Sequence, residues 1–238
     1  RQGRSLWMPD ITYSFYRSYC TLFGITPRLI PLADDLSISA SDYLSHTDED
    51  LPAGIIFANP NAPTGRALSL QEIADIARAN PRIPVVVDEA YVDFGAESSI
   101  ALLEQHDNIV AIHTFSKSRA LAGLRVGYAV ANPSIVEGLV RVKDSFNSYP
   151  LDSLALAGAI AAVQDDDYFR RSCDAVIQAR RVLARNLEAL GFRVLPSTAN
   201  FVFATHSQHD AASLFAALRA QRILVRHFSL DRIQQYLR

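Results

Sequence analysis

The sequence predicts an α/β fold built on a mainly parallel sheet. Two observations carry this expectation. Short apolar runs recur along the first 131 residues and are continuous rather than alternating, as when both faces of a sheet are covered. Segments with helical spacing lie between them, the pattern of strand–helix–strand units. Apolar residues make up 49% and charged residues 20% of the 238, which suits a folded chain with a real core.

The strands expected in order are Arg28–Leu32, Gly54–Ala58, Val85–Asp88, Ile109–Thr114 and Val126–Ala131. Ser69 followed by Glu72 reads as a capping box that opens a helix through about Ala79, and Pro81 and Pro84 close that connection. After Pro150 the texture changes. Leu151–Val163 is rich in Ala and Leu and reads as helical. Asp165–Asp167 would cap a long helix through Leu190, with Phe169, Cys173, Val176, Leu183, Leu187 and Leu190 at three-four spacing and Gly191 as its stop. Strands Phe192–Leu195, Asn200–Ala204 and Ile223–His227 and a helix Ala211–Gln221 complete a smaller α+β unit. The boundary is placed between residues 164 and 165, giving a large domain over 1–164 and a small one over 165–238.

Several function classes are poorly supported. A net charge of −2 does not suggest nucleic acid or an anionic membrane surface as a partner, and no apolar run approaches the ~20 residues of a membrane span. Cys20 and Cys173 have no metal or redox spacing and read as buried thiols of a cytoplasmic protein. The six histidines, His46 among them, show no paired ligand spacing, so no metal is expected. There is no phosphate-loop motif of nucleotide hydrolases and no nucleophile elbow.

Chemistry concentrates in one stretch, HTFSKSRALAGLRVGY. Only two lysines occur among 23 basic residues, and Lys117 is one of them. Thr114 stands three positions before it, Ser116 one before, and Arg125 eight after. Hydroxyls and a guanidinium bind phosphate oxygens by charge-assisted bonds. A lysine used as a nucleophile needs burial or neighbouring charge to lose its proton. Lys143, the only competitor, lies in RVKDS on a predicted helix without hydroxyls around it. Upstream, Asp88 ends the run Val85-Val86-Val87, at the strand end where α/β sheets place ligands, with Tyr91 three residues on. Alone, Asp88 would read as a helix cap and Tyr91 as a half-buried tyrosine. NPNAPTG after Gly54–Ala58 alone would read as a turn-rich loop.

The order NPNAPTG, VDEAY, TFSK, GLRVGY resembles the fold type I aminotransferases that use pyridoxal 5'-phosphate, and among them the histidinol-phosphate aminotransferases. The resemblance covers nearly the whole chain. It implies an aspartate aminotransferase-like fold, with a mainly parallel seven-stranded sheet and a smaller C-terminal α+β domain, in a chain that looks cut at both ends. It opens at Arg1 without a methionine. It implies that Lys117 holds the cofactor and moves protons as base and acid, and that Asp88 faces the pyridine nitrogen. It further implies that Tyr91 donates to the ring oxygen and that Thr114, Ser116 and Arg125 take the phosphate. Asn61 would serve the ring oxygen too, although the family asparagine commonly stands directly before PTG, where this chain has Ala62. Tyr13 in ITYSFY matches the aromatic that stacks over the ring; its competing reading is a core tyrosine beside Phe15, Tyr16 and Tyr19. Glu89 reads as structural. Arg238 in QYLR would clamp the substrate carboxylate, with Arg226 the weaker candidate.

The implied reaction is transamination of L-histidinol phosphate with 2-oxoglutarate by a homodimer. The alternatives are threonine-phosphate decarboxylation or aromatic amino acid transamination on the same scaffold, or a non-catalytic homologue.

Overall fold

The structure is a computed structural model and describes residues 4–45, 47 and 51–238. Arg1 and His46, named above, lie outside the described residues. Strands β1 (Leu6–Pro9), β2 (Pro27–Ile30), β3 (Gly54–Ala58), β4 (Val85–Asp88), β5 (Ile109–Thr114) and β6 (Gly127–Ala131) form one sheet in the order β2-β1-β3-β4-β5-β6. Every pairing is parallel except β5 with β6. The sheet therefore has six strands among the described residues rather than the seven that the resemblance implies. β3, β4 and β5 match their expected bounds. β1 escapes a reading by pattern because it is four residues long and ends in proline.

One face of the sheet is covered over its central strands. Helix α2 (Leu70–Ala79) opens with the expected capping box: Glu72 N donates to Ser69 Oγ and Ser69 N to Glu72 Oε2. It buries Ile73, Ala74, Ile76 and Ala77 beside Ile55, Phe57, Val85, Val87 and Ile109. The other face is covered by α1 (Phe15–Leu22) at the β1 and β3 side, where Met8, Tyr16 and Cys20 pack with Ile56. Toward β5 and β6 both faces open, with Ile112 exposed on this one and Tyr128, paired with His113, on the other. The continuous apolar runs thus overstate coverage.

Helices α3 (Pro133–Phe146), α4 (Ser153–Gln164) and α5 (Asp166–Ala189) follow. Asp165 caps α5 as expected, accepting from Tyr168 N, and Gly191 ends it at φ +89°. Of the apolar stripe expected on α5 only Cys173 is buried, and Leu183 and Leu190 are exposed. What anchors the helix is Arg180, whose Nη1 donates to Phe94 O and Ala199 O.

The second sheet, in the order β7-β8-β9, is antiparallel and consists of β7 (Phe192–Val194), β8 (Ala204–His206) and β9 (Tyr236–Leu237), with α6 (Ala211–Ala220) beside it. Two expectations change here. The segment expected as a strand at Asn200–Ala204 is mostly a turn, because Ser197 Oγ donates to Phe201 O and folds it back; the strand starts at Ala204. Ile223–His227 is not a strand. Arg222 has a left-handed φ of +63°, and only Arg226 and His227 pair, with Arg238 and Leu237. Leu195, Phe203, Ile233 and Tyr236 join the same apolar core as Trp7, Ile11 and Phe57, so the two sheets share an interior.

At Gly65 the loop after β3 closely approaches Ser197. The φ of +77° at Gly65 suits glycine, a Cβ there would stand 2.5 Å from Ser197 Oγ, and the Gly65 carbonyl accepts from Thr198 N at 2.9 Å.

Candidate active site

Parallel strands β3, β4 and β5 end on one edge of the sheet, which brings their following loops together. Two adjoining cavities open there. One, about 340 Å³, is lined by Asp88, Tyr91, Thr114, Ser116, Lys117 and Arg125, with Tyr13 at its mouth. The other, about 250 Å³, carries Arg226 and Arg238. Tyr13, Ala62, Tyr91 and Lys117 line both, so the two cavities adjoin across these residues.

Asp88 closes β4. Its Oδ1 accepts from Ala90 N at 3.1 Å and its Oδ2 from Tyr16 Oη at 2.7 Å. Burial raises its pKa, while those two hydrogen bonds pull it down; Glu89 adds to the rise and Lys117 opposes it. Glu89, the next residue, faces away into a buried polar cluster. It accepts from Ser98 Oγ and Ser99 N and pairs with His113 Nε2 at 2.7 Å. Burial alone would raise its pKa, but the bonds from His113, Ser98 and Ser99 outweigh it and hold the carboxyl below the usual range. The structural reading of Glu89 fits this placement.

Lys117 sits in a tightly wired loop. Ser118 Oγ donates to Asp93 Oδ2 at 2.5 Å, and Arg119 lies 3.5 Å over the Phe169 ring while its Nη1 donates to Ala162 O. Ala120, at φ +55°, returns its N–H to Lys117 O. Among the described residues Lys117 forms no ion pair, and its amine stands 5.4 Å over the ring of Tyr91. Lys143 differs on every count: it is exposed on α3, paired with Asp144 and donating to Ser148 O.

Arg125 adopts φ +56°, the left-handed region that few non-glycine residues enter. Its Nη1 donates to Ala122 O at 2.8 Å, which leaves the rest of the guanidinium on the cavity wall. Ser116 lines the same cavity. Thr114 also lines it, but its hydroxyl accepts from Ser116 N and donates to Val126 O, so it shapes the loop.

Asn61 requires a correction. It lies outside the lining of both cavities and is 1% exposed. Its Nδ2 donates to Ile11 O and Thr64 Oγ1, and its Oδ1 accepts from Thr12 Oγ1. Both amide protons are therefore spent inside the loop, and the residue turned to the cavity is Ala62. Asn61 is a fastener between β1 and β3, not a donor for a ligand.

Tyr13 is half exposed and packs edge-on against Tyr16 at 5.4 Å between ring centroids. Arg238 is held by reciprocal backbone hydrogen bonds with Arg226, and its guanidinium stacks 4.8 Å from the Phe201 ring, which in turn meets Tyr91 edge-on. Burial lowers the pKa of Arg238, Tyr91 opposes that, and Arg226 adds to it. Among the described residues neither arginine forms an ion pair with a carboxylate. Two guanidinium groups facing one cavity suit a ligand with more than one anionic group.

Sequence reasoning did not single out Tyr16, Phe201 or the Asp93–Ser118 pair. Each depends on contacts between residues far apart in the chain, and no spacing rule announces them. No group of His, Cys, Asp and Glu that could hold a metal occurs among the described residues.

The family model for aminotransferase class I and II matches residues 1–238. The chain is 56% identical over its whole length to histidinol-phosphate aminotransferase 2 of Dechloromonas aromatica, covering 66% of that protein. It is 55% identical to the histidinol-phosphate aminotransferase of Aromatoleum aromaticum, covering 67%. Among solved structures, the histidinol-phosphate aminotransferase of Sinorhizobium meliloti in complex with pyridoxal-5'-phosphate superposes with a TM-score of 0.88 at 24% identity, over 99% of this chain and 65% of that one. A putative aminotransferase from Burkholderia pseudomallei gives 0.77 at 28%, over 98% and 69%. The chain spans about two thirds of the length of the curated relatives it matches, and it belongs to the aminotransferase class I and II family.

Proposed function

We propose that the protein carrying this chain transfers an amino group between L-histidinol phosphate and 2-oxoglutarate with pyridoxal 5'-phosphate. One observation supports this above the rest: Lys117, Asp88, Tyr91, Ser116 and Arg125 line a single cavity that adjoins the one carrying Arg226 and Arg238. The donor set fits the cofactor. A lysine amine without an ion pair among the described residues, a buried carboxylate, a phenol and a hydroxyl–guanidinium pair meet an aldehyde, a pyridine nitrogen, a ring hydroxyl and a phosphate. Pyridoxal phosphate, when bound, supplies the electron sink that lets the substrate carbon release a proton.

The chain's own residues supply the rest. Lys117 holds the cofactor, then takes the substrate proton and returns it as base and acid. Asp88 holds a proton on the ring nitrogen, Tyr91 donates to the ring oxygen, and Tyr13 covers the ring face. Ser116 and Arg125 grip the phosphate, with Thr114 shaping their loop. Arg238 clamps the substrate carboxylate, and Arg226 beside it answers the second anionic group. The units over 1–164 and 165–238 are then a cofactor-binding domain and a smaller domain that closes on substrate.

We also propose a homodimer working in the cytoplasm. Phe146 at the end of α3, Tyr149 after it, Leu154 on α4, and Leu22 and Phe23 at the end of α1 are at least 69% exposed and offer apolar surface for a partner subunit. No helix among the described residues is long and apolar enough to cross a membrane.

The test is to assay the full-length protein with 2-oxoglutarate against a panel of amino donors. Histidinol phosphate should give the highest kcat/KM. Preference for an aromatic amino acid, release of carbon dioxide from threonine phosphate, or no turnover with any donor would each overturn the assignment.

A further inference from the structure

Tyr16 lies 72 positions from Asp88 in sequence, is 3% exposed, and donates its only hydroxyl proton to Asp88 Oδ2 at 2.7 Å. It lines neither cavity. The other oxygen of Asp88 accepts from Ala90 N. Each carboxylate oxygen is thus fixed by one donor. A carboxylate offers about four acceptor positions, so the remaining lone pairs stay available toward the cavity that Asp88 lines. Cys20 and Met8 pack around Tyr16 and leave its phenol in a fixed direction.

From this geometry we infer that Tyr16 is a positioning residue for the ring nitrogen of the cofactor, acting through Asp88; the inference rests on the function proposed above. The phenol holds Asp88 with its free lone pairs toward the cavity. It also stabilises the ionised carboxylate, so that a proton shared between Asp88 and a pyridine nitrogen rests on the ring. The donor is constant: burial first, and then the neighbouring Asp88, keep the Tyr16 phenol protonated well above its ordinary range, with Tyr13 and Tyr19 acting in the same sense. The other charges acting on Asp88 are Glu89 and Lys117, which work in opposite directions. Tyr13, edge-on to the same phenol, joins the cover of the ring face to the device that protonates it.

The test uses the full-length protein loaded with pyridoxal phosphate labelled at the ring nitrogen. Nitrogen NMR reads the protonation of that atom directly, independently of turnover. Tyr16→Phe keeps the ring and removes the hydroxyl. Its nitrogen resonance should move toward the unprotonated position, and kcat/KM should fall on the order of tenfold, the scale of one hydrogen bond to a charged group. Site-specific replacement of Tyr16 by 3-fluorotyrosine, a stronger donor of nearly the same shape, should shift the resonance the other way; it keeps the test open if the phenylalanine variant folds poorly. A resonance unchanged in both variants overturns the inference, even if activity falls. A wild-type protein that binds no cofactor at Lys117 overturns both the inference and the function on which it rests.

Discussion

Replacing Gly65 by alanine should cost about 3–4 kcal/mol of folding stability, from two separable sources. The first is backbone strain: φ at Gly65 is +77°, and the left-handed region costs an alanine about 1–2 kcal/mol. The second is displacement of Ser197. The new Cβ would stand 2.5 Å from its Oγ and 2.8 Å from its Cβ, closer than atoms tolerate. Ser197 Oγ donates to Phe201 O and accepts from Ala199 N, and losing both bonds costs about 2 kcal/mol. Gly24 is the internal control. It has φ +62° with nothing within 4 Å of its would-be Cβ, so Gly24→Ala isolates the strain. Urea unfolding of both variants gives the difference. Because Phe201 carries the contacts to Tyr91 and Arg238, Gly65→Ala should also raise KM for 2-oxoglutarate. Equal losses in the two glycine variants would refute the claim that Gly65 is kept for close approach to Ser197.

Glu89 has a depressed carboxyl pKa, so its stabilisation is present above the unfolded value near 4.3 and disappears as pH falls through the lower folded value. Glu89→Gln should therefore destabilise the chain at neutral pH, and the gap to wild type should close on acidification in a pH series of chemical denaturation. Asp88 is the opposite case: its raised pKa makes the ionised form unfavourable to the fold at neutral pH, a cost relieved as pH falls. Asp88→Asn should unfold at higher urea than wild type when free of cofactor, yet lose at least about a hundredfold in transamination, the lower range for an acid–base group; a variant both less stable and fully active would contradict this. Arg238→Lys loses the planar fork and should raise KM for 2-oxoglutarate about tenfold or more while leaving cofactor binding intact, measured by steady-state kinetics beside a cofactor titration.

The parts of this fold legible in the sequence were those written in local pattern. Three central strands and the capped helix α2 follow from uninterrupted apolar runs and from Ser69 and Glu72 at capping distance. The motif residues Lys117, Asp88, Tyr91, Ser116 and Arg125 all reach one cavity because they occupy the end of β4 and the loops that follow β4 and β5. What pattern could not supply was long-range pairing. Asn61 has the residue type of a ligand donor, but Ile11, Thr12 and Thr64 consume its amide, and only the approach of β1 to β3 determines that. Ile223–His227 has strand composition, yet Arg222 turns the chain and Tyr236–Leu237 takes the sheet edge. Tyr16 looked like one core aromatic among four; its hydroxyl acquires meaning only from the carboxylate that the fold places beside it.

The central claim is that this cavity holds pyridoxal phosphate through Lys117. The direct measurement is borohydride reduction of the cofactor-loaded full-length protein, followed by peptide mapping. The reduced cofactor should appear on the peptide containing Lys117 and be absent from the one containing Lys143, which is exposed and already paired with Asp144. A label on Lys143, or none on Lys117, would contradict the account.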